Sequence, residues 1–279
     1  MSYTDSAEQL DFRLFRKVVT YALSHDARHL VVDMDTRNAD YEESYSFSGM
    51  FGTIYNCSLE TLKIRSVCID GGFVTSSFGM LTSLVLEECQ LIFDKGVDFF
   101  ACCPSLKNLV MSYCIDHFSG EEKGLKVYGP QLLSLNFDSP ACFDIELVAP
   151  RLRFFGVHHS LYYYQKFSKL SVPALDHVEI WVDGFDAVRE DDNEWTAQRF
   201  ISLFRDLNNA TSLMLDSYTI QVMSGVSEFL ERQPSPFRRL KSLMVKADSI
   251  PFRLANCLLK GSSCMNPNVE FVRTCYFII

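Results

Sequence analysis

The chain has 279 residues, of which 48% are apolar and 22% are charged. Such a composition is typical of globular proteins and excludes a mainly disordered or fibrous chain, while the length fits either two domains or one elongated domain. The 35 acidic residues outnumber the 26 basic ones, which gives a formal net charge of −9. This acidic balance argues against a broad surface for nucleic acid or an anionic membrane, but not against a local basic pocket.

The first predicted element is a helix near the N-terminus. Apolar residues recur at helical spacing from Phe12 to Val19, and basic residues stand between them. We expect the apolar side to cover the start of the repeat array that follows, because the open end of such an array exposes core. The basic side, with Arg13, Arg16 and Lys17, is expected to face solvent.

A pattern of the form Leu-x-x-apolar-x-apolar recurs along the rest of the chain, with alanine in place of leucine in two copies. Its nine copies start at Ala27, Leu59, Leu81, Leu106, Leu132, Leu152, Leu175, Ala210 and Leu240. Because nearly half of the residues are apolar, the bare pattern arises by chance in roughly thirty windows of such a chain. Its relation to proline is much harder to obtain by chance.

Four consecutive copies have a proline two residues before their first leucine: Pro104, Pro130, Pro150 and Pro173. Proline fixes φ at the end of a loop, and its missing N–H costs least directly before a strand. Each copy therefore predicts one strand whose alternate apolar residues face a common core. The central copies start 20 to 26 residues apart, which matches leucine-rich repeats of roughly 20–29 residues.

Two cysteines occupy a fixed place in this pattern. Cys89 and Cys114 each follow the last apolar residue of their copy by three positions, which is the asparagine-or-cysteine position of leucine-rich repeats. We interpret both as structural repeat cysteines whose buried polar atoms satisfy backbone groups of a loop.

Two helices are predicted between strands. One lies within residues 94–106, where Val97, Phe99, Phe100 and Cys103 share a helical face, and the stronger one covers residues 194–209. The apolar stripe of the stronger helix consists of Phe200, Ile201, Phe204 and Leu207.

The predicted fold class is α/β, a leucine-rich-repeat solenoid of about nine irregular repeats. Its curved parallel sheet lines the concave side, and helices and loops lie on the convex side.

Several segments resemble plant F-box/leucine-rich-repeat proteins of the FBD type. Residues 15–35 are similar to the helix-then-strand segment that follows the F-box, and residues 99–114 to the recurrent cysteine-proline-leucine unit. The most specific likeness is LNNATSLMLDSYTIQVM followed by QPSPFRRLKSLMV, and IPFRLANCLLKGSS resembles the start of the FBD tail. The resemblance covers residues 12–263. The F-box, a helical module with a Leu-Pro signature, has no counterpart, since the sequence has no Leu-Pro dipeptide.

The resemblance implies three parts and a role. The parts are an N-terminal capping helix region at 1–26, a leucine-rich-repeat solenoid at 27–247, and an incomplete FBD-like tail at 248–279. The role is the substrate-recognition part of a Skp–cullin–F-box ubiquitin ligase, which binds a target protein on the concave repeat face and has no catalysis of its own. A Skp-family adaptor is an expected partner only if a longer form carries an F-box. Alternatively, an F-box-less chain acts as a decoy that shields targets.

The predicted partner-binding site lies on the neighbouring copies that start at Leu152 and Leu175. Their concave positions combine aromatic, histidine and acidic side chains, the residue types of an interaction hot spot, and flanking copies add two aspartates. The predicted partner-binding residues are Phe154, His158, His177, Glu179, Trp181, Asp138 and Asp216. Alternatively, Trp181 and Phe154 pack beneath a loop, since large aromatic residues are often partly buried.

Two other function classes are weighed against this interpretation. A repeat domain that senses a hormone or an inositol phosphate needs several basic residues on neighbouring concave strands, but only Lys63 and Arg65 are clustered. A hydrolase needs a nucleophile and a base that converge, and no phosphate loop, G-x-S-x-G or H-E-x-x-H motif is present. His158 and His159 are adjacent in a strand and point to opposite faces, so neither a metal nor a cofactor is predicted.

The cysteine content bears on the compartment. None of the ten cysteines forms a C-x-x-C pair, the N-terminus is polar, and no apolar run reaches ~18 residues. We therefore expect a cytoplasmic or nuclear protein with reduced cysteines and without a membrane or nucleic-acid partner.

Overall fold

The computed structural model describes residues 12–34, 46–48, 57–92, 97–116, 124–138, 144–160, 166–183, 193–232, 236–260 and 268–271. Its strands are β1 (His29–Asp33), β2 (Thr61–Arg65), β3 (Cys68–Ile69), β4 (Ser83–Glu87), β5 (Gln90–Leu91), β6 (Asn108–Ser112), β7 (Ile115–Asp116), β8 (Gly124–Tyr128), β9 (Ser134–Asp138), β10 (Asp144–Val148), β11 (Phe154–Ser160), β12 (Lys166–Ser171), β13 (His177–Asp183), β14 (Ser212–Asp216), β15 (Ser242–Lys246) and β16 (Asn268–Phe271). Its helices are α1 (Phe12–Ser24), α2 (Gly71–Val74), α3 (Asn193–Asp206), α4 (Ser217–Gly225), α5 (Ser227–Glu231) and α6 (Phe252–Leu259). Within these ranges, no helix is long and apolar enough to cross a membrane.

Ten strands form one parallel sheet in the order β1-β2-β4-β6-β9-β11-β13-β14-β15-β16. The order of the strands follows the chain and all neighbours are parallel, so each pair is joined by a crossover connection. A parallel sheet whose strand order follows the chain is the construction of a solenoid. The fold is therefore α/β and solenoid-like, as the sequence predicts.

Each predicted copy supplies one strand of this sheet, and the strand begins two residues after the first apolar residue of the copy. Leu59 precedes β2 in this way, and Leu240 precedes β15. The second and fourth strand residues are buried in these strands, except for the partly buried Leu30 of β1, and Leu62 and Ile64 are 1% and 0% exposed. The first, third and fifth residues are partly exposed in most of these strands, and they form what we call the open face of the sheet.

The sheet extends beyond the predicted boundary at residue 247. β16 pairs in parallel with β15, although its residues lie in the segment that the sequence assigns to an FBD-like tail. The motif search missed this strand because Asn266 stands where the other copies have leucine or alanine. The segment 248–279 thus contributes to the same sheet and is not wholly separate from it.

The repeated prolines have a defined place in the structure. Each is the second residue of a four-residue turn that the N–H of the anchor leucine closes. Leu106 donates to Cys103 and Leu152 to Ala149, both at 3.1 Å. Proline suits this turn position because its fixed φ is the one that the turn requires. The same turn forms without proline before Leu81, whose N–H donates to the carbonyl of Phe78 at 3.1 Å.

A second recurrent turn follows the strands. Ser66, Glu88 and Tyr113 come directly after β2, β4 and β6, and their φ angles are 56°, 53° and 54°. Each of these residues donates its N–H to the last carbonyl of the next main-sheet strand, at 2.6 to 2.9 Å. Left-handed backbone is uncommon outside glycine, so its recurrence at one position marks a true structural repeat.

The second layer is made mostly of strands in the middle of the chain, which corrects one expectation. Residues 97–103 form turns, not the helix predicted within 94–106. The side chains of Phe99, Phe100, Cys102 and Cys103 are all buried, whereas a surface helix would bury one stripe alone. Two short sheets, β3-β5-β7 and β12-β10-β8, occupy the layer instead.

The stronger predicted helix is confirmed as α3. Phe200, Phe204 and Leu207 are buried, and Ile201 packs partly buried against the core. At the other end of the chain α1 is also helical as predicted. Val19 of α1 is buried, and Arg16, Lys17 and Val18 are exposed.

Candidate functional site

Strand register brings the predicted aromatic and histidine residues together on the open face. In the pairing of β11 with β13, Phe154 lies opposite His177, Gly156 opposite Glu179, and His158 opposite Trp181. On the other side, β11 pairs with β9 and places His158 opposite Asp138. Six of the seven predicted partner-binding residues therefore form one contiguous cluster across three strands.

Ring contacts hold this cluster in place. The Phe154 and His177 rings are stacked, with centroids 5.5 Å apart. The His158 and Trp181 rings meet edge to face, with centroids 6.4 Å apart. These separations are those of favourable aromatic pairs. The aromatic side chains thus pack on one another along the sheet and remain partly exposed.

Each histidine also contacts a carboxylate. His158 Nδ1 lies 3.2 Å from Asp138 Oδ1, and His177 Nε2 lies 3.2 Å from Glu179 Oε1. A carboxylate can only accept a hydrogen bond, so the ring nitrogen that faces it carries the proton. The side chains of both pairs are less than one-third exposed, which fixes the orientation of the two imidazoles.

Ser212 extends the second pair into a three-residue chain. Its Oγ lies 3.0 Å from His177 Nδ1, so serine, histidine and glutamate are connected as in a nucleophilic triad. An acyl-transfer site also needs backbone N–H groups aimed at a developing oxyanion. The N–H of Ser212 is bonded to the Asp176 carbonyl at 2.9 Å, and β14 is paired on both sides. The Ser212 N–H is therefore used within the sheet, and the three side chains stay ordered on the open face.

Glu179 is the electrostatic centre of the cluster. The hydrogen bond from His177 lowers its pKa, and the positive charge of Lys246 and a hydrogen bond with Trp181 lower it further, while burial acts in the opposite direction. Lys246 reaches Trp181 from β15 and places its Nζ 4.1 Å from the centroid of the indole ring. This distance is that of a cation–π contact.

A depression of about 240 Å³ opens beside this cluster, and its lining comes from β6, β9, β11 and β13. Gly156 accounts for it. A Cβ at this position would lie 2.0 Å from Asn136 Oδ1 and 3.3 Å from Phe154 Cε1. Because glycine has no side chain, the amide of Asn136 reaches over the backbone of β11, and the open face has a recess there.

Asp216 has a structural role that the sequence did not indicate. It is the N-cap of α4, and its carboxylate accepts hydrogen bonds from the N–H groups of Tyr218 and Thr219 and from the Thr219 hydroxyl. Aspartate is among the best N-cap residues. Asp216 thus flanks the cluster, but its acceptor capacity is used to start a helix.

The two repeat cysteines are buried with 0% exposure, and their contacts are equivalent. Cys89 Sγ lies 3.5 Å from the carbonyl oxygen of Ile64, and Cys114 Sγ lies 3.5 Å from that of Leu86. Each thiol thus contacts the carbonyl of the last apolar residue in the preceding copy. A hydrogen bond with Cys89 and burial raise the pKa of the Cys114 thiol, so it is not a reactive group.

Three features of the site were missed in the sequence. Ser212 occupies the same position in its copy as His177, and alignment of the copies in register would have paired them. Gly156 and Asn136 also share one position in their copies. The recess that they form depends on side-chain conformation, which the repeat pattern does not encode.

No family model matches the chain, and none of the curated proteins compared with it matches either.

Proposed function

We propose that this chain is the recognition solenoid of a leucine-rich-repeat protein of the F-box type that its sequence resembles, and that it binds a target protein on the open face of its sheet. The cluster on β9, β11 and β13 carries this proposal. It combines phenylalanine, histidine and carboxylates with tryptophan, which is one of the residue types enriched in interface hot spots. Its partly exposed side chains are held in fixed orientations, which reduces the entropy cost of binding.

The leucine-rich-repeat assignment is supported by features that recur at fixed positions. Nine copies begin their strand at the same offset, and the turn before the anchor residue is the same with or without proline. In several copies, a small polar side chain contacts a backbone carbonyl of the preceding copy. Thr219 does so with its hydroxyl, 3.1 Å from the carbonyl of Ile180, as Cys89 and Cys114 do with their thiols. We take the described sheet to represent about nine or ten irregular repeats.

The mechanism that follows is positioning. The solenoid holds a target while a separate enzyme of a Skp–cullin–F-box ligase transfers ubiquitin, and a Skp-family adaptor docks only where an F-box is present. The chain itself has no catalytic role in this scheme. A fluorophosphonate probe is therefore expected to leave Ser212 unlabelled, and covalent labelling that Ser212→Ala abolishes would instead indicate a hydrolase.

A sensor of a hormone or an inositol phosphate is the alternative. Phosphate binding requires basic residues that are not already neutralised. Lys63 lies 2.8 Å from Glu87, and Arg65 pairs with both Glu88 and Asp33. The depression of about 240 Å³ is also smaller than small-molecule sites of roughly 300–1,000 Å³. Both observations favour a protein ligand.

Site-specific photocrosslinking tests the binding face. One variant carries a photoreactive residue at Met244 on the open face, and a matched control carries it at Tyr128 in the second layer. We expect proteins to be crosslinked from position 244 alone, and Trp181→Ala to abolish the crosslinks. Equal crosslinking from Tyr128, or crosslinks that survive Trp181→Ala, would show that the target binds another surface.

A pull-down with a purified Skp-family adaptor tests the ligase connection. The chain is compared with the same chain carrying a grafted F-box, and only the graft is expected to bind. A chain that then captures the same targets without the adaptor has the properties of a decoy. Binding of the adaptor by the chain alone would instead direct attention to α1.

A further inference from the structure

The polar groups around the recess at Gly156 indicate which kind of partner it binds. At the same open-face position the neighbouring strands carry Asn136 and Glu179. The side chains that surround the recess offer oxygen acceptors on both sides of β11. Asp138 contributes a carboxylate from β9, Glu179 contributes one from β13, and the amide oxygen of Asn136 lies over the backbone of Gly156 itself.

The aromatic wall of the recess is already in contact with a cation. Trp181 lines the depression, and the ammonium of Lys246 lies 4.1 Å from the centroid of its ring. Lys246 reaches it from β15, two strands away in the sheet. The ring of Trp181 thus already has one positive charge at the distance of a cation–π contact.

The size of the recess matches one side chain. A volume of about 240 Å³ is below the roughly 300 Å³ at which small-molecule sites begin. Guanidinium is flat, stacks on aromatic rings and donates hydrogen bonds in several directions, whereas an ammonium is a strongly hydrated point charge. Carboxylates on two sides and an indole wall therefore fit arginine better than lysine. The formal net charge of −9 also favours a basic partner.

We infer that the Gly156 recess binds an arginine side chain of the target protein, and that Lys246 is an internal cation whose positive charge opposes this binding from the far side of Trp181. This inference rests on the proposed function, since it assumes a protein ligand on the open face. It adds the chemical class of the ligand: an arginine-bearing segment whose guanidinium lies among Asp138, Glu179 and Trp181.

The first experiment selects peptides from a phage-displayed library of random sequences on the purified chain. Arginine is expected to be enriched, and the best peptide is then synthesised with arginine, lysine or citrulline at the enriched position. Citrulline keeps the shape of arginine but not its charge. We expect it to bind at least about tenfold more weakly, because charge-assisted hydrogen bonds are lost.

Substitutions then assign the peptide to the recess. Gly156→Ala places a methyl group where Asn136 Oδ1 lies and should weaken the arginine peptide, whereas Gly225→Ala is the matched control, since a Cβ there has no atom within 4 Å. Asp138→Asn keeps the shape of the wall and provides the same test if Gly156→Ala does not fold. Lys246→Ala should act in the opposite direction and tighten binding several-fold, because it removes a positive charge close to Trp181 and Glu179.

The outcomes separate the two proposals. Peptides that bind with no preference for arginine over citrulline, or that bind Gly156→Ala and Asp138→Asn as well as the unchanged chain, would overturn the arginine recess and leave the proposed function standing. A chain that selects no peptide and yields no crosslinks from Met244 would overturn both.

Discussion

The middle of the chain and its C-terminal part build the same sheet with different second layers. Copies that start 20 to 26 residues apart return mostly through strands, which are β3, β5, β7, β8, β10 and β12, and the crossover from β2 to β4 also contains the one-turn helix α2. Copies that start 35 and 30 residues apart return through helices, which are α3 and then α4 with α5. The main-sheet strands keep the same offset from their anchor residue in both parts. The longest helix thus lies in the longest of these crossovers, but length alone does not select the second layer, since β15 and β16 start 26 residues apart and are joined through the helix α6.

The rise per residue of strands and helices explains why the longest helix lies in a long crossover. A strand advances about 3.3 Å per residue and a helix about 1.5 Å. To cross the same depth, a helix therefore needs about twice as many residues as a strand. Short crossovers have room for a helix of one or two turns at most, as in α2 and α6, and long ones can form a longer helix such as α3 and bury its apolar stripe. The type of crossover does not affect the open face, because that face lies on the other side of the sheet.

The largest predicted effect concerns the core of the middle part. Phe73 is 0% exposed, and its ring centroid lies 5.1 to 5.2 Å from those of Phe47, Phe78 and Phe99. Phe73→Ala should lower the free energy of unfolding by about 3–5 kcal/mol, because α2 is a single helical turn held on several sides and cannot shift to close the cavity. Urea denaturation measures this loss.

Phe204→Ala is the comparison in the helical part. Phe204 is 1% exposed and meets the rings of Phe200 and Phe237. A helix can shift to fill part of a cavity, so we expect a loss near the lower end of the same range, about 3 kcal/mol. The exposed Val18 is the control, and Val18→Ala should change stability by less than about 0.5 kcal/mol. A larger loss for Phe204→Ala than for Phe73→Ala would show that the helical layer is the more rigid one.

A smaller effect on stability is expected at the N-terminus of α4. Asp216→Ala removes the N-cap of α4 and should cost about 1 kcal/mol of unfolding free energy. Asp216→Asn keeps a good capping residue and serves as the control. A loss that is equal for both variants would assign the role of Asp216 to its charge on the open face and not to the cap.

The sequence predicted the repeated layer of this fold well because that layer depends on local patterns. Alternating apolar residues and a proline at a fixed offset encode a strand and a turn, and both are read within a few residues. The second layer was harder to predict. The helix expected near Val97 does not form over the described residues 97–103, because burial of Phe99, Phe100 and Cys103 arises from neighbouring copies and not from an amphipathic helix.

The candidate site divides in the same way. Register alone places His158 beside Trp181 and Phe154 beside His177, so these neighbours could be predicted from the copies. The contact of Lys246 with Trp181 spans two strands, and the recess at Gly156 depends on the conformation of the Asn136 side chain. Such features depend on side-chain reach and conformation, which a motif does not specify.

Two substitutions in the turns before the anchor residues should change stability in opposite directions. Pro150→Ala should lower stability by about 0.4–1 kcal/mol, because alanine gives the unfolded chain more freedom. Gly79 has the equivalent turn position before Leu81, and a Cβ there has no atom within 4 Å. Gly79→Ala should therefore raise stability by a similar amount of about 0.4–1 kcal/mol. Thermal unfolding of the two variants measures both changes, and shifts of the same sign would contradict a shared turn.

The smallest effect concerns Glu179 on β13, the strand at which the second layer changes from strands to helices. Its pKa is lowered from the usual value of 4.5 in the folded chain, chiefly by the hydrogen bond from His177 and then by Lys246 and Trp181. The unfolded chain therefore binds the proton more readily. The stabilising contribution of the carboxylate is complete above the usual glutamate pKa, and it is lost as the pH falls through the lower, folded-state value.

Glu179→Gln removes this titration and keeps the size of the side chain. The difference in unfolding free energy between the unchanged chain and Glu179→Gln should be largest at neutral pH and should shrink as the pH falls below about 4.5. Ser212→Ala, which removes the other partner of His177, should keep the pH dependence of the unchanged chain, because the carboxylate remains. A difference that grows on acidification would mean that burial outweighs the hydrogen bonds of Glu179. The open face would then store electrostatic strain at the point where its partner is expected to bind.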